Sequence, residues 1–320
     1  MTRPKVVVSL RGGLGNQMFQ VAAGLATSTG QISIEWNLGK PQLNKFGKPE
    51  ITSLVLPKRI SLEKTRVANW LSSRTDGYLL RSGIEPKFIE KNYISKRLIL
   101  FAGSGVLSHY FKELRIPFSA NDTGYVQIPS SKNKQLLIGY FQSYIWSDNP
   151  QIRQELFELC PTENLRDYLD LVELSYRELP LVVHVRLGDY KGVAAYGIPS
   201  PKYYENAIRK LMQEGDYRKI WVFSDEPKIA SSFIPPEYGN LVRWIPKVSN
   251  STSATWSLMR FGKGYVIGNS TFSWWGANLS YTQNAPVIAP QPWFRNKQAP
   301  KDMLPPSWIP MPAQFIDREL

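Results

Sequence analysis

Between residues 181 and 290 short apolar runs alternate with amphipathic or small-residue stretches, and this alternation restricts the fold more than any other feature. "PLVVHVRL" reads as a buried strand and "YYENAIRKLMQE" as a helix. "KIWVFS" and "LVRWIP" read as strands, "TSATWSLMRFG" as a helix, "GYVIGNS" as a strand, "SWWGANLSY" as a helix and "APVIAP" as a strand. Strand and helix units succeeding one another every roughly 20 to 25 residues require a parallel sheet covered on both faces.

The first half opens in the same way, with the strand "KVVVSL", a helix from Asn16 to about Ser28 and the strand "ISIEW". Residues 37 to 130 carry no such period. "QLLIGYFQSY" (135–144) restores a strand, and "DNPQIRQELFEL" starts a helix with Asp148 or Asn149 as N-cap and Pro150 in the first turn. The expected fold class is α/β, with two Rossmann-like domains facing a cleft. The expected domains are 1–160 and 161–320, with the junction inside 150–178. Open α/β sheets bind ligands beyond the carboxyl ends of their strands, so those ends are where chemistry is sought.

Composition removes several function classes. No apolar run approaches the ~20 residues of a membrane helix, and the stretch after Arg3 and Lys5 is too short for a secretory signal. The expected setting is therefore cytoplasmic. Cys160 is the only cysteine, and His109 and His184 are the only histidines. An internal disulfide and a Cys/His metal centre are both excluded. Net charge is +13, and it is uneven: residues 1–150 hold 20 Lys+Arg against 9 Asp+Glu, the remainder 19 against 17. A basic N-terminal half suits a phosphate-bearing ligand or an anionic membrane surface, or is simply a lysine-rich solvated face. Nucleic acid is disfavoured, because the basic residues are dispersed and no reading module is present.

Four strand ends carry polar groups. In "RGGLGNQMFQ" (11–20), Gly13 and Gly15 follow a strand and open a helix, and Glu35 stands 20 residues beyond Gly15. That is part of a dinucleotide fingerprint, so an NAD-dependent oxidoreductase is one reading. Met18, however, occupies the place of the third small residue, and Asn16 and Gln17 serve no hydride transfer. A tight turn with an Asn cap is the purely structural reading. In "HVRLGDY" (184–190), His184 and Arg186 point the same way at the end of an apolar strand. A guanidinium there suits a diphosphate, and Asp189 either holds it or caps the loop. In "FSDEP", Ser224 and Asp225 either reach a nucleotide or form a helix-start signal. In "GNSTFSWWGANL", Asn269, Ser270, Thr271 and Phe272 lead into a helix expected to open at Ser273. Such a helix start is an anion site needing no metal, or a cap over a buried Trp274–Trp275 pair. With no D-x-D triplet in the chain, Arg186 is the economical cation for a diphosphate.

Together, "GGLGNQMFQ", "LIGYFQSY", "HVRLGDY", "FSDEP" and "GNSTFSWWGANL", in this order across residues 12–279, closely resemble the glycosyltransferase family 11 alpha-1,2-fucosyltransferases. The resemblance implies a GT-B-type fold with GDP-fucose bound mainly by the C-terminal domain. It also implies a galactose-terminated glycan acceptor on the N-terminal domain, attack by its 2-hydroxyl with inversion, and neither metal nor other cofactor. Arg186 falls on the donor diphosphate as the catalytic residue, and Asp189 is the nominee for the base. Gly13, Gly15, Asn16, Gln17, His184, Ser224, Asp225, Asn269, Ser270, Thr271, Phe272 and Ser273 fall around the donor. Two positions depart from the family pattern: Leu187 replaces a second arginine, and Thr255 replaces an acid ahead of the last motif. A bacterial, cytoplasmic setting fits, with the basic half meeting a lipid-linked acceptor or the anionic inner membrane face. Transfer from another nucleotide sugar and non-catalytic phosphate binding are the other readings.

Overall fold

The structure, a computed structural model, describes residues 6–36, 42–62, 124–125, 127–128, 135–188 and 196–316. The chain divides into two compact units, Met1–Leu159 and Cys160–Leu320. Each is α/β with a parallel sheet.

In the N-terminal unit, β1 (Val6–Leu10) leads into α1 (Leu14–Thr27), followed by β2 (Ile32–Trp36), β3 (Ile60–Leu62) and β4 (Gln135–Ile138). The sheet order is β3-β2-β1-β4, parallel throughout. Every residue of β1 is buried, as a strand covered on both faces requires, and its run of valines suits that place. The turn into α1 uses a left-handed Gly12, φ +68°, a conformation that only glycine adopts freely. Farther along α1, a Cβ on Gly24 would lie 2.6 Å from Val8 Cγ2, so the helix lies tight on the strand only because that side chain is missing.

β4 is shorter than "QLLIGYFQSY" suggests. It ends at Ile138 because the backbone turns through Gly139 (φ 156°) and a left-handed Phe141 (φ 53°). Two short helices follow, α2 (Ile145–Asp148) and α3 (Pro150–Phe157). Asn149 caps α3, its Oδ1 accepting from Gln151 N at 2.9 Å and Ile152 N at 3.2 Å, with Pro150 at the first position. Arg59 joins α1 to α3, donating to Leu25 O at 3.1 Å and to both oxygens of Glu155 at 2.7 Å.

The C-terminal unit runs α4 (Arg166–Glu178), β5 (Leu181–Val185), β6 (Ile198–Pro199), α5 (Pro201–Glu214), β7 (Ile220–Ser224) and α6 (Pro227–Ala230). It continues with β8 (Val242–Ile245), α7 (Thr252–Met259), β9 (Gly264–Ile267), α8 (Thr271–Asn278), β10 (Val287–Gln291), β11 (Ile309–Pro312) and β12 (Phe315–Ile316). Its main sheet is parallel in the order β11-β10-β9-β5-β7-β8. Numbered by appearance from its β8 edge, that order is third, second, first, fourth, fifth, sixth. This is the doubly wound arrangement, and it reverses direction between β5 and β9.

The core beneath these strands is Leu181, Val183, Val185, Ile220, Val222, Val266 and Ile288, covered by Tyr203, Tyr204, Ala207, Ile208 and Leu211 of α5. The helical residues recur at three- and four-residue spacing, which makes one apolar face. Each fully buried aliphatic side chain contributes ~1.5–3 kcal/mol. α8 begins at Thr271 with Ser270 as its cap, two residues ahead of the expected start at Ser273. Among the described residues no helix is long and apolar enough to cross a membrane.

Candidate functional site

The point where the C-terminal sheet reverses direction collects the polar groups. His184 is the penultimate residue of β5, and its carbonyl accepts from Gly268 N of the strand-end turn and from Tyr204 Oη, each at 3.2 Å. A Cβ on Gly268 would sit 2.5 Å from that Tyr204 oxygen, so the contact demands glycine. The imidazole is 4% exposed, and its Nδ1 makes no hydrogen bond among the described residues. Burial pushes its pKa down to about 3, helped by the Arg186 charge and opposed by Asp225. The ring is therefore neutral at physiological pH. It lies 5.9 Å, centroid to centroid, from the ring of Phe272 at the start of α8.

Arg186 follows one residue beyond β5, with 36% of its side chain exposed. Its Nη1 is 3.4 Å from Asp225 Oδ2 at the carboxyl end of the adjacent β7. Asp225 also accepts from Leu187 N at 3.0 Å and Gly188 N at 2.9 Å. A Cβ on Gly188 would stand 2.7 Å from Asp225 Oδ2, so that amide reaches the carboxylate only as glycine. Ser224 Oγ accepts from Glu226 N at 3.1 Å. "FSDEP" is thus a turn whose carboxylate shapes the loop carrying Arg186. Asp189 and His109 lie outside the described residues.

From β9, the adjacent strand across the reversal, Asn269 ties the loop before β6: its Nδ2 donates to Tyr196 O and Gly197 O at 3.0 Å each. Ser270 Oγ caps α8 by accepting from Phe272 N at 3.4 Å, and Ser273 Oγ donates back to Ser270 O at 3.2 Å. Thr271 and Phe272 are partly exposed, Ser270 and Ser273 buried. First-turn amides have no partner inside a helix, and the dipole adds positive charge there. Behind them Trp274 and Trp275 pack edge to face at 4.8 Å, with Trp274 Nε1 donating to Met303 O at 2.9 Å. The segment caps a helix over buried tryptophans and presents a helix start at the strand ends. An arginine and a helix N-terminus beyond the ends of neighbouring strands have the chemistry that suits an anion.

The two departures from the family pattern are structural. Leu187 is fully buried in the core. Thr255 Oγ1 accepts from Val248 N at 3.0 Å and donates to Ser251 O at 2.8 Å, bracing the entry to α7.

Within "GGLG" the left-handed glycine is Gly12; Gly13 caps α1 with φ −76°, and Gly15 is buried in its first turn. Gln17 is fully buried and wholly engaged: Nε2 donates to Gly12 O at 2.8 Å and Gln42 O at 3.3 Å, and Oε1 accepts from Ile51 N at 2.9 Å. It is a strut, in place of the expected ligand contact. Gln20 does the same between Arg11 N and Gly139 O, at 2.9 Å each. Glu35 is buried on β2 in register with Ser9. Gln142, which sits inside a stretch whose sequence suggests only a strand, donates to Asn16 Oδ1 at 2.9 Å. Among the described residues no group of three or more His, Cys, Asp or Glu could hold a metal ion.

The chain is similar to known glycosyltransferases. The chain is 26% identical over 314 residues to the alpha-1,2-colitosyltransferase of Escherichia coli, covering 95% of this chain and 98% of the relative. It is 28% identical over 329 residues to the O-antigen biosynthesis glycosyltransferase WbnK of Escherichia coli, covering 94% and 98%. Among solved structures, the alpha-1,6-fucosyltransferase NodZ soaked with GDP-fucose aligns with a TM-score of 0.49 at 14% identity, covering 86% of this chain and 92% of that one. The family model for glycosyl transferase family 11 matches residues 109–311, which include His184, Arg186, Asp225 and the α8 helix start. The chain belongs to glycosyl transferase family 11, and it is a glycosyltransferase.

Proposed function

We propose that the protein transfers fucose from GDP-fucose to the 2-hydroxyl of a galactoside, with inversion and without a metal. The observation that carries this reading is the pairing, across the reversal between β5 and β9, of Arg186 with the N-terminus of α8. The reaction breaks the bond between the anomeric carbon and the β-phosphate oxygen, and negative charge grows on the departing diphosphate. A guanidinium and backbone amides held in place before the reaction stabilise that charge without having to reorganise as it forms. His184, neutral and buried beside Arg186, adds no competing positive charge and leaves the guanidinium as the cation. The acceptor hydroxyl attacks from the opposite face and loses its proton to a base, for which Asp189 is the nominee.

In this reading the C-terminal unit takes the donor and the N-terminal unit the acceptor. The oxidoreductase reading of the opening turn falls with family membership. The name of the colitosyltransferase relative supports an alpha-1,2 linkage and makes a colitosyl donor the second arm of any test. The decisive experiment measures nucleoside diphosphate release from GDP-fucose, a GDP-colitose donor, GDP-mannose and UDP-sugars, with lactose and other galactosides as acceptors. Release from GDP-fucose that depends on the galactoside supports the proposal. Release from GDP-colitose alone changes the donor, and release from UDP-sugars alone overturns it.

A further inference from the structure

The N-terminal sheet has a reversal of its own, between β1 and β4, since β2 and β3 lie on the far side of β1. Two carboxamides meet beyond these strand ends: Asn16 in the first turn of α1, and Gln142 four residues past β4, joined by the 2.9 Å bond from Gln142 Nε2 to Asn16 Oδ1. Gln142 is 7% exposed, yet its Oε1 has no partner among the described residues. Buried carbonyl groups are nearly always hydrogen-bonded in native proteins, so one left open asks for a ligand.

The backbone is bent on both sides of the pair. Phe141, directly before Gln142, is fully buried with φ 53°. Opposite it, Gly12 has φ +68°, and a Cβ there would meet Asn16 Nδ2 at 2.5 Å. Backbone held in a sparsely populated conformation concentrates at binding sites. The neighbouring amides sharpen the contrast. Gln17 and Gln20 have both ends of their side chains bonded inside the unit, whereas among the described residues the Asn16 and Gln142 side chains bond only each other.

One N–H and one carbonyl are used within the pair. A carbonyl of Gln142 and an amide group of Asn16 remain, an acceptor beside a donor. Interchanging O and N in both amides leaves the same set. A sugar hydroxyl donates once and accepts, and so matches that couple. We infer that Asn16 and Gln142 read one hydroxyl of the acceptor pyranose and make the enzyme specific for it. The inference rests on the proposed function only in assigning the acceptor to the N-terminal unit.

The test titrates methyl β-galactoside and its four monodeoxy analogues into the whole protein by NMR without donor, and measures GDP binding separately by calorimetry. Wild type is expected to bind one monodeoxy analogue about 10- to 100-fold more weakly than the parent sugar. Gln142→Met should weaken the parent by a similar factor, erase that discrimination and leave GDP affinity unchanged. Asn16→Ala, at a partly exposed position, should erase the discrimination as well and serves as the acceptor readout if Gln142→Met fails to fold. Discrimination persisting in both variants overturns the inference, as does a matching loss of GDP affinity in Gln142→Met. If wild type binds the galactosides in this pattern but not GDP, the pair stands and the donor reading falls. If it binds GDP but no galactoside, the reverse holds.

Discussion

Asp225 Oδ2 lies 3.4 Å from Arg186 Nη1, while the two carboxylate oxygens accept from Leu187 N and Gly188 N at 3.0 and 2.9 Å. A partly exposed ion pair of that length contributes less than about 1 kcal/mol, so the two backbone bonds set the loop and the charge pairing is secondary. Asp225→Ala should reduce kcat by about 10²-fold through misplacement of Arg186, and Asp225→Asn, which keeps one acceptor, should reduce it less. Steady-state kinetics alongside melting curves separate the two variants. Equal activity in both would mean that the loop does not depend on this carboxylate.

Arg186→Ala should lower kcat by ~10²–10³-fold with the melting temperature unchanged, because the side chain is half-exposed and acts on charge that develops only in the transition state. Arg186→Lys should recover little, since an ammonium cannot span two phosphoryl oxygens as a guanidinium does. Near-normal turnover by a folded Arg186→Ala protein would remove the arginine from the mechanism.

His184 makes stability depend on acid. Its folded pKa is held near 3 by burial and by Arg186, whereas an unfolded imidazole titrates near 6.5. Between those values the unfolded chain takes up a proton that the folded chain refuses. The stability is therefore complete above about pH 6.5 and falls by up to ~1.4 kcal/mol per pH unit on acidification toward 3. Denaturant midpoints measured from pH 7.5 to 4.5 should decline in wild type and decline less in His184→Gln. Parallel curves for the two proteins would show that another group carries the acid sensitivity.

In the proposed mechanism an arginine and a helix terminus supply the positive charge at the diphosphate, so activity should survive dialysis against EDTA. Loss of turnover on chelation, restored by a divalent ion, would contradict this.

The basic N-terminal half should bring the protein to anionic vesicles at low salt. Co-sedimentation with phosphatidylglycerol liposomes should fall between 20 mM and 500 mM salt, as the Debye length shrinks from about 20 Å to about 4 Å. No salt-sensitive binding would leave a soluble acceptor as the simpler partner.

Strands β5, β7, β8, β9 and β10 were legible because each is a mainly apolar stretch bounded by turn residues, and the longer helices between them hold an apolar face. β11, "IPMP", was not: it carries prolines at Pro310 and Pro312, which sheets accept at an edge. β6 and β12 have two residues each and no period to detect. At the site, Arg186 could be placed from its strand end, but the supporting role of Asp225 could not. It depends on hydrogen bonds to residues 37 and 38 positions earlier in the chain. The same limit hid Gln142, whose partner Asn16 is 126 positions away, and made Gln17 look like a ligand contact. Which glycine of "GGLG" turns left-handed is a tertiary outcome as well, fixed by the seat of Asn16 against Gly12.

Residues 309–316 finish two separate pieces of the C-terminal unit. β11 adds the edge beside β10, and β12 pairs with β6, where Ser200 N also donates to Gln314 O at 2.8 Å and Phe315 packs against Gly197. Gly197 in turn holds Asn269 at the head of α8. During translation the N-terminal unit is free to fold as it emerges, but the C-terminal unit stays unfinished until this late segment leaves the ribosome. A chain stalled short of residue 316 thus carries a completed first unit joined to an unclosed second one.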